Sequence, residues 1–199
     1  QLYAGNIKNY KEKSIMISNS ISIVIGSWGS YNECNERALG SKWLDLSDYN
    51  DWEEIEEELK KQGFELDGID EELFIQDIDN FPSDATNWAY MHPQRLFEIL
   101  HESEVLDDSG KYDTLMAFLE VRSFREFEEL VDRYGASWDD DIYIYKNYDW
   151  DDYGREMFNC CGYEIPYSLL DFFDFEAYCE SFKYDGIEEY SEGLIEIRR

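Results

Sequence analysis

Basic side chains are scarce in this 199-residue chain: 17 Lys and Arg face 47 Asp and Glu. An ordinary soluble surface intersperses both signs, and here there are too few cations to do so. The 2 histidines, His92 and His101, stand nine positions apart. That is not a helical ligand spacing, so a histidine-built transition-metal site lacks its ligands. No run approaches the ~18 apolar residues of a membrane-crossing helix. A basic n-region leading into an apolar core, the mark of a secretory signal, is not seen either, and the start at Gln1 leaves room for an upstream piece. The 4 cysteines, Cys34, Cys160, Cys161 and Cys179, include no C-x-x-C pair. They read as reduced thiols of a cytoplasmic protein, some buried; a disulfide framework in a secreted module is the alternative.

Chemical motifs are also missing. There is no G-x-S-x-G, no H-E-x-x-H and no phosphate-cradling glycine loop. Cys160 and Cys161 stand among acidic residues, a setting that does not favour a reactive thiolate. A calcium loop needs D-x-[DN]-x-[DN]-G. Asp77-x-Asp79 begins well, but Phe81 and Pro82 take the next two key places, and from Asp45 those places hold Ser47 and Tyr49. Glycoside hydrolysis needs only two carboxylates at a set separation, and among 47 candidates no pairing is informative. The expectation is a protein without catalysis, metal or cofactor.

What is present is charge and aromatic mass. The formal net charge is −30, yet 43% of residues are hydrophobic and 17% aromatic. Chains too polar to bury apolar surface stay unfolded; this one has 6 Trp, 16 Tyr and 12 Phe to bury. It reads as folded and self-repelling. The charge belongs to the body: residues 1–20 carry a net +2, whereas residues 21–197 hold 46 acids against 12 bases. Duplex DNA carries about one charge per ~1.7 Å, so thirty charges match roughly 50 Å of duplex, about 15 base pairs. A basic groove built for DNA would attract such a surface. Salt adaptation is the rival global explanation, and for any single helix a solvated face suffices.

Hydrophobic periodicity predicts an α+β chain: an elongated molecule of three small consecutive domains (α/β, mostly α, α+β) with short sheets. An N-terminal extension covers 1–20. The α/β domain, 21–80, has a β-branched strand at 21–25, a loop marked by Gly26, Gly29 and Asn32, a return strand at 43–46 and a strand at 73–78. Its clearest helix, 51–62, sets Trp52, Ile55 and Leu59 on one stripe, with Asp51 and Glu54 as a capping box and Gly63 beyond the end. The helical domain, 81–140, follows the Phe81-Pro82 break with helices at 95–106, 112–121 and 123–134, the last opened by a Ser123/Glu126 capping box. The α+β domain, 141–199, has a strand at 142–145, helices at 149–158 and from Asp174 through Phe182, and a hairpin around Glu192-Gly193.

Several stretches then resemble one family. Gly26-Ser-Trp-Gly-Ser-Tyr31-Asn32-Glu33 followed by Gly40-Ser-Lys-Trp43-Leu44-x-Leu46 is similar to the opening of the ArdA antirestriction proteins. Tyr148-Asp149-Trp150-Asp151-Asp152-Tyr153-Gly154-Arg155-Glu156 resembles the family's acidic helix. Ile165-Pro166, Leu169-Leu170 and Phe172-Phe173-Asp174-Phe175-Glu176-Ala177-Tyr178 resemble its next segment, and Glu192 to Ile197 its closing strand. The likeness covers 21–197 and is weakest in the middle. Cys34 stands where members commonly have glycine.

The resemblance implies a three-domain, acidic homodimer shaped like bent B-form DNA. It implies occupation of the DNA-binding groove in the methyltransferase core of type I restriction-modification enzymes, blocking restriction and possibly modification. Direct nucleic-acid binding and membrane association are not expected. The candidate phosphate-mimicking acids are Glu53, Glu54, Glu57, Glu58, Asp139, Asp140, Asp141, Asp149, Asp151 and Asp152. The candidate dimer contacts are Ile165, Leu169, Leu170, Phe172 and Phe173, with core packing as the other reading. The alternative function is an acidic binding module that inhibits another DNA-binding protein, such as a nuclease, a nucleoid protein or a CRISPR effector.

Overall fold

A computed structural model describes residues 20–180 and 186–198; of the N-terminal extension only Ser20 falls within them. About 49% of the described residues are helical and 17% lie in strands, forming two three-stranded sheets. The chain is mixed α+β.

The first sheet is built on β1 (Ser22–Ser27), whose last five residues are buried. It pairs antiparallel with β2 (Leu44–Asp45) on one side and β3 (Leu73–Asp79) on the other. Register slips between Val24 and Ile25, so β3 carries one extra residue there. The predicted loop after Ile25 is not a loop. β1 continues through Gly26 and Ser27, and Trp28–Glu33 forms the short helix α1. Ser27 Oγ accepts from the Ser30 N–H at 3.3 Å and starts it. Gly29 lets it press on the Ile69 carbonyl, where an added Cβ would come within 1.9 Å. The return strand is shorter than 43–46, because the Asp45 carboxylate accepts from the Ser47 N–H at 3.1 Å and turns the chain.

The helices follow their caps. In α2 (Trp52–Lys61) Asp51 accepts from the Glu54 N–H, while Trp52, Ile55 and Leu59 face inward. α3 (Pro93–Glu102) starts two residues before the predicted Arg95, since His92 Nδ1 accepts from the Gln94 N–H and Pro93 occupies the first helical position. It stops before the predicted Leu106, where Glu104 adopts φ 61°. α4 (Ser109–Val121) is capped by Asp108, and α5 (Phe124–Tyr134) by the Ser123/Glu126 box. β4 (Ile142–Lys146) leads to α6 (Trp150–Cys160), a 3-10 segment at Tyr167–Phe172 and α7 (Phe175–Cys179). The predicted continuation of that last helix to Phe182 passes outside the described residues. β5 (Ile187–Tyr190) and β6 (Gly193–Ile197) form the closing hairpin, with β6 central in the order β4-β6-β5.

Aromatic mass holds this together. One apolar cluster runs from Ile21, Ile23 and Ile25 through Leu96, Phe118 and Trp138 to Ile142, Ile195 and Ile197. Trp138 is fully buried, packs edge-on against Phe118 and Phe127, and donates its indole N–H to the Ser103 carbonyl at 3.2 Å. Each large side chain buried here contributes about 1.5–3 kcal/mol, which offsets the repulsion of so many like charges. A second cluster gathers Tyr153, Cys179, Ile187 and Leu194. There Gly154 lets α6 and α7 cross closely, its Cα facing the Phe175 carbonyl and the Cys179 thiol. Burial first, then the nearby Glu196 carboxylate, pushes the Tyr153 phenol up to about 12.

Candidate functional site

The few cations are spent inside the molecule. Arg95, on α3, donates to Glu128 and Asp132 of α5 at 2.9 Å each. Arg122 joins Glu126 and, on β5, Glu188. Lys111 holds Glu104 at 2.7 Å, and Lys146 holds Glu192 across the second sheet at 2.7 Å. Lys60, Lys61, Arg125 and Arg155 make helical pairs with Glu56, Glu58, Glu129 and Asp151. Arg198 pairs with the buried Glu196, which also accepts from the Tyr145 hydroxyl at 3.0 Å. Among the described residues only Lys42 and Arg133 stand outside an ion pair, and Arg133 covers the Tyr134 ring. The carboxylates outnumber these partners and remain on the surface without cations.

One acid is unlike the rest. Asp70 is fully buried under α1. It accepts from the Ser30 hydroxyl and from the Glu65 N–H at 2.8 Å, while Arg37 Nε lies 2.8 Å away as an ionic contact without a hydrogen bond. Burial acts to raise its pKa, but these donors together with Arg37 outweigh it and hold the carboxyl below its ordinary range. It is a structural anchor.

The ten predicted acids fall into two kinds. On α2, Glu53 and Glu57 face solvent without an ion pair, one turn apart. Glu54 is bound by the Asn50 backbone and side-chain N–H groups, and Glu58 by Gln62 and Lys61. Asp140 is exposed on the turn before β4, flanked by the half-buried Asp139 and Asp141. On α6, Asp149 is the N-cap and accepts from the Asp152 N–H at 2.9 Å, Asp151 holds Arg155 at 2.6 Å, and Asp152 is exposed. Three separate elements therefore present acids.

The apolar residues proposed as contacts also divide. Leu169 and Phe172 are exposed, Phe172 at 84%, beside the equally bare Tyr167. Ile165 and Leu170 are half-buried. Phe173 turns inward, its ring 5.0 Å from Phe158 and 4.6 Å from Phe175. Periodicity did not separate these, because a 3-10 segment repeats every three residues and has no wide inner face.

Sequence reasoning also missed an open notch of about 500 Å³ lined by Trp28, Glu71, Glu72, Leu73, Tyr90 and His92. Its residues come from three separate stretches, so no local pattern announces it. Among the described residues no three His, Cys, Asp or Glu side chains gather to hold a metal ion. Nor is any helix there long and apolar enough to cross a membrane.

Comparison with curated proteins gives no match. A protein-family model described as antirestriction protein (ArdA) matches residues 23–196.

Proposed function

This chain belongs to the ArdA family of antirestriction proteins, and from that premise we propose that it acts as a DNA mimic on type I restriction-modification enzymes. Its carboxylates engage the Lys and Arg side chains that otherwise neutralise phosphates in the DNA-binding groove. DNA affinity comes largely from such neutralisation and the counterion release that accompanies it. Base edges are missing from the mimic, so it competes regardless of recognition sequence.

The observation that carries this reading is the disposition of the cations. Nearly every described Lys and Arg is tied to a carboxylate of the same chain. Most of these cations are themselves exposed, so it is the excess of acids beyond them, left without a partner on the surface, that supports the reading. Glu53, Glu57, Asp140 and Asp152 are the strongest candidates for direct contact. Glu54, Glu58, Asp139, Asp141, Asp149 and Asp151 add to the field while also serving local structure. The stretches 21–80, 81–140 and 141–199 would carry this charge in succession along an elongated dimer, joined through Leu169 and Phe172.

The test is competition between this protein and duplex DNA for the methyltransferase core of a type I enzyme, at two salt concentrations. We expect displacement of DNA at low salt and weaker displacement at high salt. Failure to displace DNA at low salt sinks the proposal. Displacement from a nuclease or nucleoid protein instead would move the function to that partner. Complete loss of inhibition by one Asp→Asn substitution would point to a discrete catalytic or metal site.

A further inference from the structure

We propose that the notch between Trp28 and Tyr90 receives one arginine side chain of the basic partner, giving an otherwise diffuse charge surface a fixed anchor. The inference rests on the DNA-mimic reading for the identity of the partner, and on the notch itself for the chemistry.

The walls are aromatic. Phe74 stacks on one face of the Trp28 indole at 4.3 Å and 25°, and Tyr31 meets it edge-on at 6.0 Å. A backbone bond from the Trp28 N–H to the Glu72 carbonyl, 3.0 Å, fixes the Trp28 main chain beside Glu72. Tyr90, which also lines the notch, is 83% exposed and among the described residues makes no aromatic ring contact. A bare tyrosine costs the protein apolar surface in water, and a planar cation laid over it would recover that loss. Glu71 and Glu72 at the rim have no ion pair, in a protein where pairing cations are scarce.

The remaining wall does not repel a cation. His92 accepts from the Gln94 N–H through Nδ1, which leaves Nε2 as its protonated nitrogen. Burial lowers its pKa against the pull of Glu98 and Glu56, so the imidazole is neutral at pH 7. Its ring lies 5.9 Å from Trp52, whose indole N–H donates to Glu56 of α2. The notch thus adjoins the most acidic helix of the chain.

This combination selects arginine over lysine. A guanidinium is planar, stacks on aromatic faces and offers paired N–H groups to a carboxylate. An ammonium is a strongly hydrated point charge that gains less from a stack. In an interface of shared charges, a residue of this kind is where binding energy concentrates.

The experiment uses the full chain and two blocked peptides, acetyl-Gly-Arg-Gly-amide and its lysine counterpart. Binding is followed by the Trp28 indole N–H resonance, assigned with Trp28→Phe. We expect saturable shifts with the arginine peptide, clearly weaker ones with lysine, and about tenfold weaker arginine binding in Tyr90→Ala. Equal titrations by the two peptides, or unimpaired binding by Tyr90→Ala, would overturn the inference. In the DNA-competition assay Tyr90→Ala should lose about tenfold in potency with an unchanged salt slope, since it removes no charge. Unchanged potency would show that the partner does not use the notch. If the parent protein displaces no DNA at all, the mimic reading falls, and the peptide titration alone decides the notch.

Discussion

Two residues show how tightly the opening segment is specified. Cys34 ends α1 in the left-handed conformation, φ 49° and ψ 39°. A side chain is strained there and glycine is not, so Cys34→Gly would relieve the backbone at this place. Asp70 bears more weight. Ser30 and the Glu65 backbone converge on its buried carboxylate, and Arg37 faces it. Asp70→Ala should cost about 3–5 kcal/mol, because it leaves the facing charge and donors without their partner; chemical denaturation measures this. The sign of the pH dependence follows from the depressed folded pKa. Asp70 contributes stability above the ordinary carboxylate value of 3.8, and that contribution drains away as pH falls below it. The acid-side stability loss should therefore be shallower in Asp70→Ala.

At the level of elements, caps and charges pull in different directions. Every α-helix among the described residues has a side-chain N-cap, at Ser27, Asp51, His92, Asp108, Ser123, Asp149 and Asp174. Within α2, however, Glu53 and Glu57 sit one turn apart with nothing between them. Like charges at that spacing destabilise a helix by about 0.2–0.5 kcal/mol. Glu57→Gln should raise the unfolding free energy by about that amount, while its effect on DNA competition stays within about twofold because many other acids share the load. The 3-10 segment poses the complementary test. Leu169→Ala with Phe172→Ala removes exposed apolar surface and should leave the circular dichroism unchanged. Sedimentation should shift from dimer to monomer; a persistent dimer would place the contact elsewhere.

For the whole molecule, salt should act with opposite signs on fold and function. Raising ionic strength from 0.01 to 0.15 M shortens the screening length from about 30 to about 8 Å. Self-repulsion then weakens and Tm rises, while affinity for a basic partner falls; the two are measured by thermal melts and by competition at matched salt. One charge reversal should change inhibition little, and neutralising eight or more exposed acids should weaken it progressively. The sequence by itself determined the acidic body, the inward stripe of α2, the Ser123/Glu126 capping box and most of the element order, while the Glu54 carboxylate of the expected Asp51/Glu54 box turns to the Asn50 N–H and helix α1 replaces an expected loop. Those signals act over three or four residues, or over composition, and need no distant partner. Only tertiary structure decided which acids are paired within the chain and which stay exposed without a cation. Arg95 finds Asp132 across 37 positions, Phe173 turns into an aromatic cluster while Phe172 stays bare, and Trp28 meets Tyr90 at one notch. Such pairings depend on how elements pack in space, and no local periodicity encodes them.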